Sequence, residues 1–197
     1  MKKILYVHGL GSGANSSTTK MLRNHFKNDK VYSVDLFIEK PYECIEKINE
    51  FVRKNNIDIV IGSSMGGFFT MQISGAVKIL INPCLSPCNV LPQIIGINEQ
   101  QDYSTERLNG EQHYTITDES IVEYKIIEKD FFSKKYNEKM KSETHVILGT
   151  EDKVITAPES LALIDKFSKN QIYRIEGMEH RASPEVLPII EKIISEL

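Results

Sequence analysis

Residues 57–67, Ile57-Asp58-Ile59-Val60-Ile61-Gly62-Ser63-Ser64-Met65-Gly66-Gly67, constrain this chain more than any other stretch. They open as a short apolar run rich in Ile and Val, the pattern of a strand buried on both faces of a parallel sheet. The run breaks into small residues and resumes with Phe68, Phe69, Met71 and Ile73, which read as helix. Inside the break lies G-x-S-x-G with Ser64 at its centre. At a sharp strand-to-helix turn, side chains two residues before and after the serine would strike the strand or the helix, so glycine is needed there. Such a turn exposes the hydroxyl and aims the first helical N–H groups at whatever it attacks. The same residues also fit a plain βα turn with closely packed glycines, so the meaning of Ser64 depends on its surroundings.

The remaining chain repeats the pattern. Lys3 to Val7 predicts a buried strand ending in His8-Gly9-Leu10-Gly11-Ser12-Gly13. These alternating glycines match neither G-x-G-x-x-G nor a P-loop, and they leave either a flexible turn or a loop that offers an N–H donor to an oxyanion. Ser16 or Ser17 caps a helix running to about residue 28, with Met21, Leu22 and Phe26 inward. Residues 31–36 form a second strand. Pro41 begins a helix whose stripe is Cys44, Ile45, Ile48, Phe51 and Val52. Gly75 ends the Ser64 helix, and Ala76 to Ile81 is a fourth strand. Four βα units in a row imply a mostly parallel sheet of about six strands with helices on both faces.

The alternation stops at residues 83–143. A helix is expected at 118–132, with Ile121, Val122, Ile126 and Phe131 available to pack. An insertion this long is expected to act as a lid over the carboxyl edge of the sheet, within a single domain spanning 1–197. Thr144 to Leu148 and Gln171 to Ile175 supply the last two strands. Between them Thr156 and Glu159 suggest a capping box, with Leu161, Ile164 and Phe167 on the buried side of the helix that follows. Ser183-Pro184 opens the final helix, although Pro188 leaves its first residue open.

Ser64, Asp152 and His180 each fall just beyond the carboxyl end of a predicted strand, so a parallel sheet delivers all three to one edge. Their chain order, Ser then Asp then His, is that of α/β-hydrolases. A serine hydroxyl needs an imidazole to take its proton, and the imidazole needs a carboxylate to fix its tautomer. The assignment is Ser64 as nucleophile, His180 as general base and then acid, and Asp152 as orienting carboxylate, with Glu151 competing for the last role. Backbone N–H groups of Leu10 and Met65 are the expected oxyanion donors. His8 supports the glycine loop, and His25, His113 and His145 fall in less suitable places.

A net charge of −3 advertises no nucleic-acid surface. The basic pair Lys134-Lys135 sits among acids and reads as solvated face. The apolar run after Met1-Lys2-Lys3 is too short for a signal peptide, and no run approaches a membrane span, so a cytoplasmic location is expected. Cys44, Cys84 and Cys88 lack zinc-site spacing and read as reduced, buried thiols. No metal or organic cofactor is expected.

Nearly the whole chain resembles the YqiA/YcfP-like bacterial esterases of the α/β-hydrolase superfamily. The likeness rests on Leu5-Tyr6-Val7-His8-Gly9, Ile61 to Gly67, Ile81-Asn82-Pro83, Gly96 to Gln112 of the insertion, Gly149-Thr150-Glu151-Asp152 and Gly177-Met178-Glu179-His180. It implies a small hydrolase without the first antiparallel strands, acting on short acyl esters and on thioesters, with Ser64, Asp152 and His180 as its catalytic residues. The Gly11-Ser12-Gly13 loop is richer in glycine than that family, and Cys84 and Cys88 are peculiar to this chain. The expected function is a serine carboxylesterase on a small-molecule acyl ester. Its rivals are a thioesterase or acyltransferase with the same triad, and a non-catalytic binding protein on a hydrolase fold.

Overall fold

Strands that are apolar on both faces need cover on both faces, and this requirement sets the architecture. In the computed structural model, which describes residues 1–197 except for the side chains of Lys134 and Lys135, six strands form one parallel sheet. The solvated face expected at Lys134-Lys135 therefore lies outside the described residues. The strands are β1 (Lys3–Val7), β2 (Lys30–Ser33), β3 (Ile59–Ser63), β4 (Val77–Ile81), β7 (Thr144–Gly149) and β8 (Ile172–Ile175), in the order β2-β1-β3-β4-β7-β8. All five pairings are parallel, with Leu5 beside Val60 and Ile61 beside Ile79. The expected α/β-hydrolase architecture is present, without leading antiparallel strands.

Alternate side chains feed two cores. Leu5, Val7, Val60, Leu80 and Val146 pack under α2 (Pro41–Asn55), α3 (Met65–Met71) and α7 (Pro158–Ile164). Ile4, Tyr6, Ile59, Ile61 and Ile79 pack under α1 (Ser17–His25) and α8 (Val186–Ser195). Proline opens α2 at its first position, where no N–H bond is lost. Asn56 ends the helix in the left-handed conformation that asparagine tolerates. Ser16 caps α1 by accepting from Thr19 N at 3.2 Å.

The insertion between β4 and β7 is more ordered than its sequence suggests. It holds α4 (Pro87–Ile94), an antiparallel hairpin of β5 (Gln100–Asp102) and β6 (His113–Thr115), α5 (Asp118–Asp130), a π-helical turn at Phe131–Lys135 and α6 (Glu138–Ser142). The hairpin strands have three residues each and carry no apolar alternation, which is why periodicity missed them. The expected helix at 118–132 is present over Asp118–Asp130, and of its four expected packing residues Ile121 and Phe131 do face the core, but the rest of the buried face is turned. Val122 and Ile126 are exposed, while Ser120, Tyr124 and Ile127 face inward. Hydrogen bonds decide this rotation: Ser120 Oγ donates to Glu39 O at 2.7 Å and the Tyr124 hydroxyl donates to Ile38 O. Tyr124 also lies edge-on to Phe68 of α3 at 5.5 Å, anchoring the insertion behind Ser64.

Other expectations are corrected. No capping box forms at Thr156 and Glu159. Ala157 precedes α7 with no side-chain cap, and Pro158 begins the helix. Ser160 is buried there because its Oγ accepts from Leu85 N at 2.9 Å, and Leu161 points outward. β2 stops at Ser33 rather than 36. α8 starts at Val186, so Pro188 falls within its first turn, where a missing donor is tolerated. Cys44 and Cys84 are buried free thiols, whereas Cys88 is only half-buried.

A lysine is buried within the sheet. Lys78 of β4 is buried, donates to Ala76 O at 3.1 Å and lies 3.9 Å from Glu143. Burial holds its pKa below the usual lysine range, against the raising effect of Glu143. The folded protein thus holds this proton less tightly than the unfolded chain, so the residue lowers stability at neutral pH and the loss is recovered as pH rises toward the ordinary lysine value. Lys78→Met should therefore raise the thermal midpoint at pH 7 by about 2–4 °C, on the order of 1 kcal/mol, in a denaturation scan.

Candidate active site

Ser64 stands alone between β3 and α3 with φ 52° and ψ −123°, a conformation that a side chain rarely adopts. Its backbone is fastened to the end of β4: Ser64 N donates to Ile81 O at 3.0 Å and Cys84 N donates to Ser64 O at 3.0 Å. The flanking glycines are demanded by contact. A Cβ on Gly66 would lie 2.0 Å from Val7 O, and one on Gly62 would lie 2.3 Å from Gly66 O. The turn therefore works only with bare backbone on both sides of the serine, as its sequence predicts.

The other two side chains arrive from β7 and β8. His180 Nε2 lies 3.0 Å from Ser64 Oγ, and its Nδ1 lies 2.9 Å from Asp152 Oδ2. With Nδ1–H donating to the carboxylate, Nε2 is left to accept the serine proton. Asp152 Oδ1 is occupied separately, accepting from Val154 N at 2.8 Å and Ile155 N at 3.2 Å. Burial pushes the Asp152 carboxyl up, but the His180 hydrogen bond and these backbone donors prevail and hold it below the usual range. Glu151 is exposed and turned away, so it does not share this role. The arrangement is able to move a proton from hydroxyl to imidazole while a fixed carboxylate balances the charge.

Asn82, which the sequence offered only as the end of a strand, holds the two loops together. Its Nδ2 donates to Glu179 O at 2.9 Å and to His180 O at 3.0 Å, and its Oδ1 accepts from Gly149 N at 2.7 Å. The Asn-Pro step directly after an apolar strand was the available signal, since asparagine tolerates the left-handed φ of 42° found there.

The glycine loop lies across the cavity from His180. His8 is fully buried, donating from Nδ1 to Gly9 O at 2.9 Å and accepting at Nε2 from Leu36 N at 3.2 Å. Burial holds its pKa down to about 4. Leu10 N–H has no acceptor among the described residues, and Met65 N–H opens α3, where no carbonyl precedes it. The insertion grips this loop from outside. Ser104 N and Oγ both donate to Gly11 O, at 2.7 and 2.8 Å. Buried Arg107 donates to Ser12 O at 3.2 Å and Leu36 O at 2.8 Å while stacking on Tyr103. Asp35 accepts from Ala14 N at 2.7 Å and Leu108 N at 2.5 Å. Arg107 and Asp35 escaped sequence reasoning because their partners lie far away in the chain.

Ser64 and His180 open into a cavity of about 880 Å³ that reaches Leu10, Ser104 and Arg181. The remaining histidines are elsewhere: His25 pairs with Glu191, His113 with Asp102, and His145 stacks on Tyr173. No three His, Cys, Asp or Glu side chains cluster as a metal would require among the described residues. No helix among them is long and apolar enough to cross a membrane.

Two outcomes follow from this geometry. Glycine accepts the Ser64 backbone angles without strain, so Ser64→Gly should be more stable than Ser64→Ala by about 1–3 kcal/mol in urea denaturation. His8 binds its proton less readily when folded, so its contribution is intact above the unfolded value of about 6.5 and is lost as pH falls toward 4. The unfolding free energy from urea titrations should drop over that window by on the order of 3 kcal/mol from this group, and the drop should shrink in His8→Asn.

The architecture is shared with solved structures of low sequence identity. A protein from Agrobacterium vitis S4 superposes with TM-score 0.69 at 11% identity, over 99% of this chain and 87% of that one. The esterase domain of a Rhodothermus marinus protein gives 0.65 at 13%, over 98% and 84%. Est1E from Butyrivibrio proteoclasticus gives 0.64 at 12%, over 99% and 87%. At these identities the likeness is one of fold. The sequence model of the uncharacterised protein family UPF0227 matches residues 3–193, and the chain belongs to that family, the YqiA/YcfP-like group its motifs resemble.

Proposed function

We propose that this protein is a serine hydrolase that cleaves short-chain carboxylic esters through an acyl-enzyme on Ser64. The observation that carries the reading is the unbroken hydrogen-bond chain from Ser64 through His180 to Asp152, at 3.0 and 2.9 Å, built on a strained elbow. Strain at a half-buried hydroxyl that faces a cavity, with an imidazole already in place, is what nucleophilic catalysis needs and a packing turn does not.

In this reading Ser64 Oγ attacks the ester carbonyl as His180 Nε2 takes its proton. The tetrahedral oxyanion accepts from the N–H groups of Leu10 and Met65. His180 returns the proton to the leaving alkoxide, which departs as alcohol. Water then gives its proton to His180 and attacks the acyl-enzyme, releasing the acid and restoring Ser64. Asp152 stays ionised throughout and steadies the imidazolium. Residues 83–143 act as the lid of a single domain, since Ile94, Ser104 and Thr105 line the cavity. Free thiols at three cysteines suit the reducing cytoplasm.

Ser64→Ala should lower kcat on 4-nitrophenyl acetate by several orders of magnitude, and Asp152→Asn by about 10⁴. Wild-type protein should react with a fluorophosphonate at Ser64, read by mass spectrometry. Undiminished turnover in Ser64→Ala would remove the proposal.

A further inference from the structure

We infer that the cavity selects esters carrying an anionic group, a carboxylate or a phosphate, recognised by Lys20 and Arg181. The inference names the substrate class of the site proposed above and rests on that reading for its catalytic half.

The walls of the cavity are unusual for an acyl-chain pocket. Hydroxyls of Ser12, Ser17, Thr18, Ser104 and Thr105 line it, together with the Asn15 amide. Tyr6, Leu10, Ile94, Val154 and Ala182 supply the apolar part of the lining. A long hydrocarbon gains free energy by leaving water for apolar surface, which these walls offer only interleaved with hydroxyls and charges. A polar substrate instead exchanges its water contacts for these donors and acceptors.

Charge narrows the class further. Lys20, Arg181 and Glu106 bring charge to the lining, two cations against one anion. Neither Lys20 nor Arg181 has a carboxylate within 4.0 Å or a side-chain hydrogen bond among the described residues, although the chain has 27 Asp and Glu. Arg181 follows His180 directly, so a group it binds lies beside the reacting ester. Lys20 stands on α1, on the wall formed by Ser16, Ser17 and Thr18. Its ammonium offers a point charge, and the Arg181 guanidinium offers paired donors that suit carboxylate and phosphate alike.

The test compares matched ester pairs. For a carboxylate source the pair is 4-nitrophenyl hemisuccinate and its neutral methyl ester. For a phosphate source it is 1-acetylglycerol 3-phosphate and 1-acetylglycerol. In wild-type protein at low salt, kcat/KM should favour the anionic member of at least one pair by about tenfold, and 0.5 M NaCl should compress that ratio. The pair showing the preference identifies the source. The ratio should fall to about one in Lys20→Met/Arg181→Met and survive in Lys20→Arg/Arg181→Lys. A wild-type ratio near or below one for both pairs overturns the inference, as does a ratio that the Met variant leaves intact. Succinate and inorganic phosphate provide an arm independent of catalysis. At millimolar concentration one of them should raise the thermal midpoint of wild-type protein and not that of the Met variant. If no ester is hydrolysed yet this shift appears, the serine hydrolase reading fails and the anion site stands. If no ester is hydrolysed and no shift appears, the anion site fails too.

Discussion

Backbone pressed directly on backbone at Gly66 underlies the whole site. With Val7 O 2.0 Å from where a side chain would begin, α3 rests on the end of β1 and the turn before it has no freedom. That contact fixes the height of Ser64 above the sheet. It also sets the distance to the loop after β1, because Gly9 packs against Ser64 on the other side, where an added Cβ would be 3.2 Å from the serine Cβ. The parallel order β1-β3-β4-β7-β8 then does the rest, bringing the loops after five strands to one edge. Glycine recurs where those loops touch: at Gly149 a Cβ would meet Met178 O at 2.1 Å, so the chain leading to Asp152 and the chain leading to His180 pack backbone against backbone there.

Two histidines near this edge show how environment divides one side chain into two behaviours. His8 is sealed between Gly9 O and Leu36 N and held neutral by burial. It is a strut that happens to be an imidazole. His180 is partly open and has a carboxylate behind it, whose second oxygen is already taken by two N–H groups. The sheet edge thus carries one imidazole sealed among backbone groups and one that faces the cavity between a hydroxyl and a carboxylate.

The parallel sheet, the serine turn and the Ser-Asp-His order were readable because each rests on local pattern: apolar runs, small residues at fixed spacing, loops after strands. Sequence position favours Asp152 over Glu151 without giving the reason, which is that the Asp152 carboxylate meets His180 Nδ1 and two backbone N–H groups. The turned face of α5 escaped for a related reason. Periodicity counted Val122 and Ile126 as buried, but Ser120 and Tyr124 had carbonyl partners on Glu39 and Ile38 that only the fold reveals. The clasp of Arg107 and Asp35 on the glycine loop joins three distant segments and leaves no periodic trace.

That clasp makes the loop beside the serine depend on a short hairpin packed outside the sheet. β5 and β6 have three residues each, and an isolated hairpin of this size is marginal in water. Heat or denaturant would release Ser104 and Arg107 before disturbing the six-stranded core. The cavity would then lose its shape while most of the sheet's backbone signal persisted, so the range of conditions in which this protein functions is narrower than the range in which it remains folded.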